Sequence, residues 1–88
     1  MYFLYMIKDQ QNKLYIGITD NKERRLKERN HNQGALFTKD SSVFHIVFLE
    51  NYPTLANART REIQLKKWSR IKKETLIEMY HKGIDTKT

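Results

Sequence analysis

A chain of 88 residues has room for one small core and not for two, and the absence of cysteine excludes disulfides, thiolate catalysis and a cysteine-rich metal site. With 39% hydrophobic and 11% aromatic residues the composition favours folding over disorder, and apolar runs of only a few residues exclude a transmembrane helix. Lys and Arg number 17 against 10 Asp and Glu, and the resulting charge of +7 favours a polyanionic partner: DNA, RNA or an acidic membrane surface.

The N-terminal stretch MYFLYMIK has no basic segment ahead of its apolar residues and no small-residue cleavage site, so it does not read as a signal peptide. A soluble intracellular domain is expected, cytoplasmic or, in a eukaryote, nuclear. Residues 2–8 predict a strand covered on both faces, because neither alternating set is polar. Asp9 to Asn12 predicts a turn and residues 13–19 a second strand, which makes the pair an antiparallel hairpin. Asp20 or Asn21 is placed to cap a helix reaching about Asn30. Residues 31–42 have loop composition, and 43–50 predict a third strand. Pro53 and a Thr54 cap open a long helix to about Ser69; a break near Arg70 leads to a last helix over 72–82 with Gly83 as its stop. The order is β-β-α-β-α-α. It predicts an α+β (α/β) fold: a three-stranded, mainly antiparallel sheet flanked by helices. Residues 1–84 are expected to form the single domain and 85–88 a disordered tail.

Four features depart from a plain small domain. On a helical wheel Leu55, Ala58, Leu65 and Ser69 share one stripe of the long helix, with Trp68 at its margin, and Glu62 falls inside that stripe. An inward carboxylate needs a basic partner, a metal or a cleft, since burying an unpaired charge is costly. Around it Arg59, Arg61, Lys66, Lys67, Arg70, Lys72 and Lys73 form a one-signed run, which suggests a phosphate-facing surface or a solvated face. Tyr2, Tyr5 and Tyr15 crowd the hairpin, and Gly17 interrupts a strand where something approaches the backbone closely. Arg24 and Arg25 lead a basic first helix.

Together these positions resemble the GIY-YIG nuclease superfamily, in particular the small catalytic domains of structure-selective and excision-repair endonucleases. Phe3-Leu4-Tyr5 meets the first motif through its tyrosine, and Tyr15-Ile16-Gly17 meets the second in full. GITDNKERRLKERN is similar to the family's glycine, loop and arginine helix, with Arg25 at the arginine. The stretch from Ala58 to Lys73 is similar to its metal-site helix, with Glu62 as the carboxylate. The resemblance implies hydrolysis of DNA phosphodiester bonds with one divalent ion, Mg²⁺ or Mn²⁺, on Glu62. In this reading Arg25 clamps the scissile phosphate and Gly17 leaves room at the site. One tyrosine is the general base, Tyr5 with Tyr15 holding the water or the reverse. Free tyrosine titrates near ~10, so nearby cations must favour its phenolate.

Accessory roles are expected among Arg29, His31, Lys39 and His81. Arg29 stands where many members carry histidine, and His81 where the family often has asparagine. Those two positions motivate the alternative reading, a catalytically impaired nucleic-acid binding module of the same fold. A third reading is a basic protein–protein adaptor presenting Trp68. Arg24 and the basic run of the later helices would hold the DNA backbone without reading sequence. With no separate recognition module in view, low specificity is expected, selection falling to DNA structure, to a partner protein or to a homodimer.

Overall fold

The computed structural model describes residues 1–28 and 44–87. The fold is α+β: a three-stranded antiparallel sheet with three helices in the order β-β-α-β-α-α. Its strands are β1 (Tyr2–Lys8), β2 (Leu14–Thr19) and β3 (His45–Tyr52), in the spatial order β2-β1-β3. Among the described residues the helices are α1 (described over residues 22–28), α2 (Leu55–Lys66) and α3 (Arg70–His81). Among the described residues, no helix is long and apolar enough to cross a membrane.

β1 is central because it is apolar on both faces. Leu4 and Met6 pack with Phe48, Leu65, Leu76 and Ile77 beneath α2 and α3. Tyr5 and Ile7 pack on the opposite face with Phe44, Tyr15, Leu26 and Ile46, on the side of α1. The hairpin register is fixed by its turn. Asp9 Oδ1 accepts the backbone N–H groups of Gln11 and Lys13, both at 2.9 Å, and Asn12 takes a left-handed φ of 67°. Tyr5 therefore lies directly opposite Gly17, and Ile7 opposite Tyr15.

Boundaries moved where side chains found better partners. β3 runs two residues later than its composition suggests, because Tyr52 pairs with Tyr2 and the strand follows β1 along its whole length. α2 stops at Lys66 rather than near Ser69: the Ser69 hydroxyl accepts the Lys72 N–H at 3.3 Å and caps α3 instead. α3 closes at Gly83 (φ +76°), with Ile84 N–H donating to Met79 O at 2.9 Å and Gly83 N–H to Tyr80 O at 3.1 Å, the paired bonds of a glycine-terminated helix.

The C-terminal residues read as a disordered tail make contacts with the sheet through Thr86 and Lys87, whose ammonium donates to the Asn51 carbonyl. The Thr86 hydroxyl donates to Glu50 Oε2 at 2.7 Å, and its carbonyl accepts from Arg61 Nη2 at 2.7 Å. Thr88 lies outside the described residues. Glu50 also accepts from Arg61 Nε at 3.0 Å and from the Tyr52 hydroxyl at 2.8 Å. Burial, and then the bond to Glu50, push the Tyr52 hydroxyl well above its usual pKa. Lys8 and Arg70 both bond Glu74, at 2.9 and 2.7 Å, and Arg70 reaches the Asn12 carbonyl, so α3 is fastened to the hairpin. Burial works to raise the Glu74 carboxyl, but the bonds from Lys8 and Arg70 outweigh it and hold its pKa below the usual value.

Candidate active site

β2 is an edge strand, and beside its Gly17–Thr19 end lies an open cleft of about 440 Å³. Residues from both faces of the sheet reach it: Tyr5, Gly17 and Arg25 from the α1 side, Ile16, Ile18 and Glu62 from the α2 side. Tyr5 belongs to the central strand, yet its hydroxyl reaches the edge by lying over Gly17. A Cβ at position 17 would come within 2.6 Å of the Tyr5 Cζ and closer still to the hydroxyl. The sequence expectation of a close approach at Gly17 thus has a named cause, the Tyr5 ring.

Arg25 is carried by α1, whose start is set by Asn21: its Oδ1 accepts the Arg24 N–H at 2.9 Å, and its backbone engages the Thr19 hydroxyl. The Arg25 side chain is 44% exposed, and its tie to Glu28 is long, at 3.6 Å. It is free to turn to an anion in the cleft. Arg24 lines the same cleft and bonds Asp20 at 2.9 Å.

Glu62 is carried by α2, opened by the Thr54 cap on the Asn57 N–H. Ala58 and Leu65 anchor the inward face, both fully buried. Glu62 lies between them and is 7% exposed. Its oxygens meet Arg59 Nη1 at 3.3 Å and Lys66 Nζ at 3.2 Å. Leu55, expected in the core, is instead 43% exposed at the rim of the cleft, because α2 begins there, beyond the edge of the packed face. Ser69, expected on the same stripe, lies past the helix end.

The cleft thus gathers Tyr5, Gly17, Arg25 and Glu62, with Arg24 and Arg59 beside them. Tyr15 does not line it; it is packed edge-on against Phe44 at 5.4 Å, on the sheet face that carries Tyr5 and two residues before Gly17. His81 lies in a different groove, with Lys8, Arg70 and Glu74. Arg29, His31 and Lys39 fall outside the described residues.

The one-signed basic run is divided by the fold. Arg61, expected to face phosphate, is 8% exposed and spends its guanidinium on Glu50, Gln64 and Thr86. The buried Glu50 draws it inward, since neither charge is tolerable alone there. Lys72 lies 5.3 Å from the Trp68 ring and Arg70 is held by Glu74. Lys66 and Lys67 are exposed, and Lys73 is half-buried.

The sequence reading gave Asp20 only a capping role, although the spacing to Arg24 signals an i,i+4 pair; the structure sets it in the cleft. It also missed Glu50, whose signal was an acid alternating with Phe48 and Tyr52 on a strand otherwise apolar on that face. Among the described residues, no group of three or more His, Asp or Glu side chains is arranged to hold a metal. A single fixed carboxylate beside open solvent nevertheless fits a hard divalent cation that keeps most of its waters.

Residues 1–75 match the GIY-YIG catalytic domain. Similar proteins include UPF0213 proteins of Staphylococcus aureus strains Mu50 and MW2, each 35% identical over 77 residues that cover 88% of this chain and 94% of the relative. The solution NMR structure of a UPF0213 protein from Bacillus halodurans is 29% identical, with a TM-score of 0.59 over 90% of this chain and 85% of that one. The chain belongs to the GIY-YIG catalytic domain family, a nuclease-type domain.

Proposed function

We propose that the cleft hydrolyses DNA phosphodiester bonds, as a metal-dependent endonuclease of low sequence specificity. The observation that carries this reading is the meeting of Tyr5, Gly17, Arg25 and Glu62 in one open cleft from four different elements. Glu62 would hold one Mg²⁺ or Mn²⁺, which when bound supplies charge neutralisation at the phosphoryl and leaving oxygens.

Arg25 clamps a non-bridging oxygen, a task suited to a planar and permanently charged group. Tyr5 is the better candidate for general base, since its hydroxyl borders the cleft. Arg25, Arg24 and Arg59 lie along the same cleft. Tyr15 supports the wall through Phe44. Gly17 leaves the space that the Tyr5 hydroxyl occupies.

DNA is held along its backbone by Arg24, Arg59 and the exposed Lys66 and Lys67, contacts that carry no sequence information. On α3 the exposed Lys72 adds a further positive charge, whereas Arg70 is engaged by Glu74 and Asn12. Selection by a partner protein or a second copy accords with low intrinsic specificity.

A supercoiled-plasmid and branched-DNA cleavage assay tests the reading. Nicking is expected with Mg²⁺ or Mn²⁺, and is expected to vanish with EDTA and in Glu62→Gln. Cleavage that survives Glu62→Gln overturns the assignment of the metal carboxylate. Salt-sensitive DNA binding with no cleavage of any substrate would instead identify a binding module of the same fold.

A further inference from the structure

Glu62 is held by two cations that differ in their relation to the cleft. The carboxylate itself is fixed, its side chain 9% exposed, whereas the side chains of Arg59 and Lys66 are 57% and 55% exposed. Arg59 Nη1 meets Oε1 at 3.3 Å, and Arg59 lines the cleft. Lys66 meets Oε2 at 3.2 Å and does not line it. Of the two cations on Glu62, the one that borders the cleft is Arg59, paired with Oε1. Among the described residues Glu62 is the only acid with which Arg59 is paired.

The Arg59 guanidinium would compete for Glu62 with any divalent cation that the carboxylate held, and would be repelled by its charge. Arg59 stands one helical turn before Glu62, and its exposed head can turn without moving α2. The strongest anion then within its reach is a phosphate of the bound strand, which accepts a guanidinium bidentately.

We propose that Arg59 is an exchange residue: it pairs with Oε1 of Glu62 and would turn to a DNA phosphate where Glu62 held a divalent cation. Arg25 on α1 and Arg59 on α2 then grip the strand from separate helices. The proposal rests on the nuclease reading of the cleft, and deepens it by linking metal occupancy to phosphate binding.

The test compares the intact protein with Arg59→Ala, Arg59→Lys and Glu62→Gln. Mn²⁺ is titrated into DNA-free protein by calorimetry, and duplex DNA affinity is measured over a salt series with EDTA or with Ca²⁺. Arg59→Ala is expected to bind Mn²⁺ about two- to fivefold more tightly, the range an exposed ion pair commands. Its DNA salt slope is expected to match the intact protein in EDTA and to fall by roughly 0.9 in Ca²⁺, the loss of one phosphate contact. Arg59→Lys is expected to restore that slope. Unchanged or weaker Mn²⁺ binding by Arg59→Ala, with Glu62→Gln unable to bind, overturns the exchange and leaves the nuclease reading standing. Mn²⁺ binding retained by Glu62→Gln overturns the metal assignment and the exchange with it.

Discussion

Gly17 has a fully extended strand to live in, and its need for hydrogen in place of a side chain comes from a neighbour. The Tyr5 ring crosses it from the central strand, and Tyr5 is itself only 5% exposed, wedged among Ile7, Phe44 and their partners. A terminal hydroxyl on a free side chain would yield to an added methyl; a ring set in a close-packed cluster yields at a cost. Gly17→Ala is therefore expected to destabilise the fold by about 1–3 kcal/mol and to lower cleavage at least tenfold by displacing the Tyr5 hydroxyl. Thermal melts and nicking rates check the two effects separately. Unchanged cleavage would show that the Tyr5 position is not critical. Gly17 and Glu62 stand out in the sequence because each breaks a local rule, a glycine in a strand and a carboxylate on an apolar stripe, whereas Tyr5 and Arg25 stand out only through the family resemblance. Arg61 was not legible. Its neighbours Arg59 and Lys66 carry the same charge, and only the distant Glu50 distinguishes it.

At the scale of elements, the Glu50–Arg61 pair joins β3 to α2 and draws the Thr86 segment onto both. Every polar atom in it is satisfied; among the described residues no buried side-chain nitrogen or oxygen lacks a partner. Removing Arg61 would leave Glu50 buried without its cation. Arg61→Ala is expected to cost about 3–5 kcal/mol, measured by denaturant unfolding, with Lys67→Ala within about 0.5 kcal/mol of the intact protein as the exposed control. Equal effects of the two would place Arg61 on the surface. Element type was read correctly along the chain because apolar periodicity is a local signal. The boundaries of β3 and α2 were not, because they depend on Tyr52 finding Tyr2 across the sheet and on Ser69 capping the later helix. The ordered Thr86 was hidden for the same reason: its partners lie 36 and 25 positions away.

For the molecule as a whole, the sheet separates two cores and the cleft opens where its edge strand runs between them. α1 rides on one face and α2 on the other, so Arg25 and Glu62 approach from opposite sides of β2. The basic residues serve two purposes: some pair with acids of the fold, as at the buried Glu50 and the partly exposed Glu74, and others face outward. The central claim is that Tyr5 and Glu62, held by different elements, act as one site. The most direct test is the nicking rate of Tyr5→Phe, Glu62→Gln and the double variant, in Mn²⁺, on one supercoiled plasmid. Each single change is expected to slow cleavage by about 10²-fold or more, and the double variant to be no slower than the worse single one, as for groups that act as a unit. Losses that multiply, or full activity in Tyr5→Phe, would contradict the account.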